Sequence, residues 1–278
     1  MRLRSLLFVP ADRPERFDKA AASGADAVIL DLEDSLVPDR KAFGRDAARE
    51  WLGGSRSCAA FVRVNPLDSG LTRADLRAVL AAAPDGLLLP KAEGAASIEA
   101  LRAMAADAPV PPILPIATET PAAIFELGSY RAVGGHICGV TWGAEDLPAA
   151  IGASSAREED GRYTPPFEMV RSLTLFAAHA AGVPAIETVF PRIDDAEGLA
   201  AYIARARRDG FTGMMAIHPA QVAAINAGFA PTEVELRHAR AVVEAFAAHP
   251  GAGALKLDGK MIDRPHLLLA RRVLDQAG

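Results

Sequence analysis

Eight short apolar runs, each followed by a segment with helical spacing, restrict this fold more than any other feature of the chain. The runs lie at 6–9, 27–32, 59–64, 86–89, 113–117, 137–141, 184–189 and 213–217. They are short and bordered by Pro, Gly or polar residues, which favours buried strands over helices. Between them the spacing predicts helices. Asp12 reads as an N-cap and Pro14 as the first turn of a helix stopping at Gly24. Further helices are expected at 39–52, 72–82 and 122–127, and around Ile98, Leu101 and Met104. A longer one places Val170, Leu173, Phe176, Ala177 and Ala180 on one face. Asp194 and Glu197 form a D-x-x-E helix start, and Thr232 with Glu235 forms a T-x-x-E capping box. The alternation predicts an α/β fold, a (β/α)8 TIM barrel over 1–230, with a C-terminal helical extension over 231–278. A doubly wound open sheet is the other topology considered, but no Gly-rich dinucleotide fingerprint follows any strand.

Composition narrows the function classes. The net charge is −5 and half of the residues are hydrophobic, so neither nucleic acid nor an anionic membrane is an expected partner. No apolar run is long enough to span a bilayer, and the N-terminus reads as a first strand, not a signal peptide. Cys58 and Cys138 are the only cysteines and lack zinc or disulfide spacing, which makes a reducing cytoplasm the expected location.

In a barrel, the C-terminal ends of the strands converge on one face. The polar residues expected there include Asp12, Arg13, Asp31, Glu33, Asp34, Arg63, Asn65, Lys91, Glu93, Glu119, Glu145, Asp146, Glu187 and His218. Such a concentration of charge suits an anionic, metal-bound ligand. Glu119 and Asp146 follow two adjacent runs, and two close carboxylates repel unless a cation or proton lies between them. A hard divalent ion with oxygen ligands fits that position, and so does a pair of solvated loop acids. Residues 149–166 are small, polar and charged, a long connection expected to be a lid or disordered.

The stretches RSLLFVPADRPERFDKA (4–20), AVILDLEDSLVPDRK (27–41), FVRVNP (61–66), LLLPKAE (87–93), ETP (119–121), WGAEDL (142–147) and MIDRPH (261–266) resemble the citrate lyase β-subunit-like family of the HpcH/HpaI aldolase superfamily. That family includes malyl-CoA and citramalyl-CoA lyases. The resemblance covers nearly the whole chain and implies several roles. Glu119 and Asp146 match Mg²⁺ ligands, and Arg63 matches a substrate-binding arginine. Glu33 and Asp34 match an acidic pair that approaches the metal through water, contributing with Glu119 to substrate binding. Asp263 matches an acid–base aspartate delivered by an adjacent subunit, which implies a homotrimer or homohexamer. Arg13 and Lys19 are candidates for contact with CoA phosphates.

The implied reaction is Mg²⁺-dependent cleavage or formation of a 3-hydroxyacyl-CoA such as malyl-, citramalyl- or citryl-CoA. The products are an acyl-CoA and a 2-oxo acid. Mg²⁺ would act as Lewis acid and template, Arg63 would stabilise charge on oxygen, and Asp263 would move the proton at carbon. Alternatives are an acyl-CoA thioesterase on the same scaffold and a citryl lyase subunit dependent on a carrier protein. Individual residues also have plainer readings. Arg63 pairs structurally with Glu33 or Glu119; Glu33 and Asp34 cap the next helix; Lys91 forms a Schiff base; Trp142 and Tyr163 only shape the rim. Glu187 reads as an outer acid and His218 as a loop or core histidine.

Overall fold

The computed structural model describes residues 1–277. All eight expected runs form strands: β1 Ser5–Pro10, β2 Ala27–Asp31, β3 Ala59–Arg63, β4 Gly86–Leu89, β5 Ile113–Pro115, β6 Val140–Thr141, β7 Ala185–Glu187 and β8 Gly213–Ala216. They pair in parallel in the order β5-β4-β3-β2-β1-β8-β7-β6. The ends of that order meet through the bridges Ile113↔Ile137 and Ile116↔Thr141 and the bond from Ala117 N–H to Thr141 O at 2.9 Å. The result is a (β/α)8 TIM barrel.

A two-residue side-chain period selects what fills the interior. Leu6, Ala27, Ile29, Phe61, Leu88, Leu114, Ile116, Ile186 and Met215 form one buried apolar cluster. Continuing the same period along β2 and β3 reaches Asp31 and Arg63, which are register partners. The rule that builds the core thus also sets an acid beside a base at its top. Helices cover the outside, among them Lys41–Leu52, Gly94–Met104, Pro165–Ala180 and Ala196–Asp209.

Several local expectations are corrected. The first helix begins as a 3-10 turn at Pro14–Arg16, preceded by Arg13 and without a side-chain cap; Asp12 lies instead 3.5 Å from Arg40 Nε. The helix at 196 is capped by Asp195, one residue after Asp194, whose carboxylate accepts the Gly198 N–H. Glu33 and Asp34 cap nothing, since Val37 precedes the Pro38–Arg40 turn. The connection after β6 is neither open nor structureless. It starts with a helix, Asp146–Ile151, and its far end is fastened by Tyr163, which is buried and edge-on to Trp142 at 4.9 Å. Arg157 stacks on Tyr163 and donates to its hydroxyl at 2.7 Å.

The chain divides into two compact units, Met1–Asn226 and Ala227–Gly278. In the second unit, the helix Glu233–Ala248 starts with the expected Thr232–Glu235 capping box. It shares an apolar cluster of Ala239, Val242, Ile262 and Ala270 with the helix Arg264–Asp275. Between these helices lies an antiparallel hairpin, β9 Ala254–Leu257 and β10 Lys260–Asp263. Asp258 and Gly259 turn it with φ of 48° and 80°, the left-handed pair that a two-residue hairpin loop requires. Among the described residues, no helix is long and apolar enough to cross a membrane.

Candidate active site

The C-terminal ends of the strands surround a cavity of about 360 Å³. Its wall includes Pro10 at the end of β1, Asp31 at the end of β2 and Asp34 beyond it, Arg63 at the end of β3, Glu119 after β5, Asp146 after β6 and Thr188 after β7. Phe8, Ile116 and Met215 close its floor with apolar surface. The cavity therefore has an acidic and cationic rim over an apolar base, at the face where barrel enzymes carry their chemistry.

Arg63 is held from two sides. Its Nε and Nη2 donate to the two oxygens of Asp31, both at 2.7 Å, a bidentate fork fixed by the β2–β3 register. Its Nη1 lies 2.8 Å from Glu33 Oε2 and 3.9 Å from Asp34. The guanidinium also sits 4.9 Å from the centre of the Phe8 ring. Burial opposes its charge, but the hydrogen bonds and charge of Asp31 outweigh this, so its pKa is raised. For Asp31, burial raises the pKa, and Arg63, Ser35 and the Glu33 N–H reverse the direction to a net lowering. Arg63 is thus a permanent cation, as expected, but its main partner is Asp31, to which no role was assigned from the sequence. Parity and register were the available signals.

Glu119 is the opposite case. It is 5% exposed, and its Oε2 accepts the Lys91 backbone N–H at 2.6 Å. Burial first, and then Asp146 and Glu33, push its carboxyl up to about 8, against the pull of the Lys91 N–H and charge. A Cβ on Gly143 would meet Glu119 Cγ at 2.7 Å and Oε1 at 3.0 Å, so the residue after Trp142 must be small for the carboxylate to lie there. Asp146 occupies the first turn of its helix, half exposed, with Lys91 Nζ 3.8 Å away. Glu33 is 3% exposed; its Oε1 takes Lys91 Nζ at 3.0 Å, whereas no aligned hydrogen bond reaches Oε2 despite the nearby Arg63. Burial, then Asp34, raises its pKa against Arg63 and Lys91, and the net direction is up.

The fold therefore gathers Arg63, Glu33, Asp34, Glu119 and Asp146 around one cavity or its wall. Lys91, also at a strand end, is a protonated partner of Glu33: burial lowers its pKa, but Glu33, Asp146 and Glu119 raise it further. That direction is wrong for an imine-forming amine, which must shed its proton. Glu187 lies at the end of β7 but turns away into the protein and is fully buried. His218 is exposed and accepts the Ala220 N–H at 3.2 Å, so it is a loop histidine. Trp142 is fully buried and does not line the cavity; its Nε1 donates to the buried Glu187. Arg13 and Lys19 are exposed around the start of the first helix. Asp263 belongs to the second unit, at the end of β10, with its Oδ1 2.6 Å from His266 Nδ1. Cys58 and Cys138 are unpaired.

Residues 4–219 match the family model for HpcH/HpaI aldolase/citrate lyase. The citrate lyase subunit beta-like protein of Mycobacterium tuberculosis is 38% identical over 273 residues, covering 98% of this chain and 94% of its own. The (3S)-malyl-CoA thioesterase of Cereibacter sphaeroides is 33% identical over 281 residues, covering 99% and 94%. The crystal structure of the CitE protein of Mycobacterium tuberculosis with magnesium, acetoacetate and coenzyme A superposes with a TM-score of 0.82 at 36% identity, covering 100% of this chain and 98% of that one. The matched residues span all eight strands of the barrel, and the chain belongs to the HpcH/HpaI aldolase/citrate lyase family.

Proposed function

We propose that the chain is a Mg²⁺-dependent carbon–carbon lyase acting on a 3-hydroxyacyl-CoA, with a small 2-oxo acid and an acyl-CoA as products. The observation that carries this reading is Glu119, a buried carboxyl raised to about 8 by burial and by facing other acids at the mouth of a cavity. A carboxylate in that setting gains most from a cation. Glu119 and Asp146 offer only oxygen donors, and among the described residues no group of three or more His, Cys, Asp or Glu is placed to hold a metal. Two carboxylates with the remaining positions left to water and substrate suit Mg²⁺, which keeps much of its hydration shell. When bound, Mg²⁺ supplies Lewis acidity at the oxygens of the oxo acid. A solved relative that contains magnesium, a small oxo acid and CoA together supports the same assignment.

The chain's own groups do the rest in this reading. Arg63, locked by Asp31, presents its remaining N–H groups to the developing negative charge on substrate oxygen. The apolar floor of Phe8, Ile116 and Met215 keeps water from the thioester enolate. Glu33 and Asp34 order the water around the charged end of the substrate. Asp263, carried on β10, is the proton donor to the enolate carbon, serving the site of a neighbouring subunit in a trimer or hexamer. Arg13 and Lys19 receive the CoA phosphates.

The test of the reaction is product identity. Purified protein with Mg²⁺ is given malyl-, methylmalyl-, citramalyl- and citryl-CoA. The expected result is equimolar acyl-CoA and 2-oxo acid from at least one of them. Free CoA with an intact hydroxy acid would make the chain a thioesterase, and turnover only of carrier-protein thioesters would make it a complex subunit. The test of Asp263 is mixing two inactive variants, Asp263→Asn and Glu119→Gln, under proven subunit exchange. Activity is expected to return. If it does not, Asp263 serves no neighbouring site.

A further inference from the structure

Lys91 follows β4 after a single proline and has φ of +50°, the left-handed region that a residue with a Cβ seldom occupies. That conformation has a consequence at the cavity mouth. It turns the backbone N–H onto Glu119 Oε2 at 2.6 Å, while the side chain reaches Glu33 Oε1 at 3.0 Å and comes within 3.8 Å of Asp146 Oδ1. One residue therefore touches all three carboxylates, two of them through a positive charge. Glu33 and Glu119 are almost fully buried and the Lys91 side chain is 32% exposed, so solvent screens these interactions only in part.

We propose that Lys91 sets the affinity of this site for its divalent cation by holding a fixed positive charge against the same carboxylates. The inference rests on the reading of Glu119 and Asp146 as the cation's ligands. Its physical content is a pair of opposed effects. The ammonium relieves repulsion among Glu33, Glu119 and Asp146, and it repels any second cation that approaches them. The backbone bond to Glu119 depends on the left-handed turn and not on the side chain. A neutral side chain of similar length therefore removes the charge and leaves the carboxylate oriented. Lys91 is on this account a positioning and tuning residue, without contact with the reacting atoms.

The test is calorimetric titration of Mg²⁺ into EDTA-stripped protein, which reads affinity without turnover. Lys91→Met and Lys91→Gln are expected to bind Mg²⁺ on the order of tenfold more tightly than the wild type. Lys91→Arg, which keeps the charge, is expected to stay close to it. Glu119→Gln serves as the control that locates the ion. If Glu119→Gln loses binding while a folded Lys91→Met or Lys91→Gln binds no more tightly than the wild type, Lys91 does not tune the site and the proposal is overturned. If Glu119→Gln binds as the wild type does, the ion sits elsewhere, and the ligand assignment fails together with this proposal. Circular dichroism confirms the fold of each variant, and Lys91→Gln alone decides the outcome should Lys91→Met fail to fold.

Discussion

Two buried glutamates stand at strand ends of the same barrel and have opposite surroundings. Glu187, at β7, is fully buried and saturated. It accepts hydrogen bonds from Trp142 Nε1, Tyr202 OH, Arg171 Nε and its neighbour's Thr188 N–H, with Arg171 also bound to Asp209 at 2.7 Å. Glu119, after β5, takes the Lys91 N–H and otherwise faces Asp146, Glu33 and a cavity. A buried charge that is fully partnered belongs to the architecture. One left facing other acids, with its pKa displaced, belongs to the chemistry. The distinction lies in the partners and not in the residue type or its place on the strand.

The largest expected effect sets these two residues against each other. Glu187→Gln leaves Arg171 buried beside a neutral group and should destabilise the fold by roughly 3–5 kcal/mol, as read by urea denaturation. Glu119→Gln should leave the fold intact and lower turnover on the order of 10³-fold or more. If Glu187→Gln is as stable as the wild type, or Glu119→Gln unfolds, the division between an architectural and a chemical glutamate collapses.

A smaller effect sharpens the account of Arg63. Arg63→Lys keeps a charge but cannot hold the fork onto Asp31 while offering further N–H groups to substrate. Turnover should drop on the order of 10²-fold, with the fold retained. A lysine variant of nearly full activity would reduce Arg63 to a general positive charge.

The last effect is thermodynamic and is read as a slope against pH. The Glu119 carboxyl, ordinarily near 4.5, titrates at about 8 in the folded chain. Between those values the folded state holds the proton more tightly than the unfolded one. The stabilisation is complete below about pH 4.5 and is lost as pH rises through about 8. With EDTA present, stability should fall across that window by at most about 1.4 kcal/mol per pH unit. Glu119→Gln should lack this part of the slope. Identical slopes in the two proteins would mean that Glu119 is ionised throughout.

Much of this was legible in the sequence because parallel barrel strands are buried on both faces and read as short apolar runs. The acids of the mouth were legible for the same reason, as charges that interrupt such runs. What escaped depends on information that is not local. Asp31 and Arg63 meet through the β2–β3 register, which no single strand specifies. Asp146 read as a strand-end acid, but it opens the helix Asp146–Ile151, whose Pro148 and small residues gave no amphipathic period. The left-handed turn at Lys91 carries no glycine to announce it. The β9–β10 hairpin did carry a signal, the Asp258–Gly259 pair between alternating residues, which the surrounding glycines obscured.

The most direct test of the central claim is the cation dependence of turnover in EDTA-stripped protein. The account predicts no cleavage of the preferred hydroxyacyl-CoA until Mg²⁺ is added, full recovery on addition, and no recovery in Glu119→Gln. Full turnover by the stripped wild-type protein with EDTA still present would contradict it.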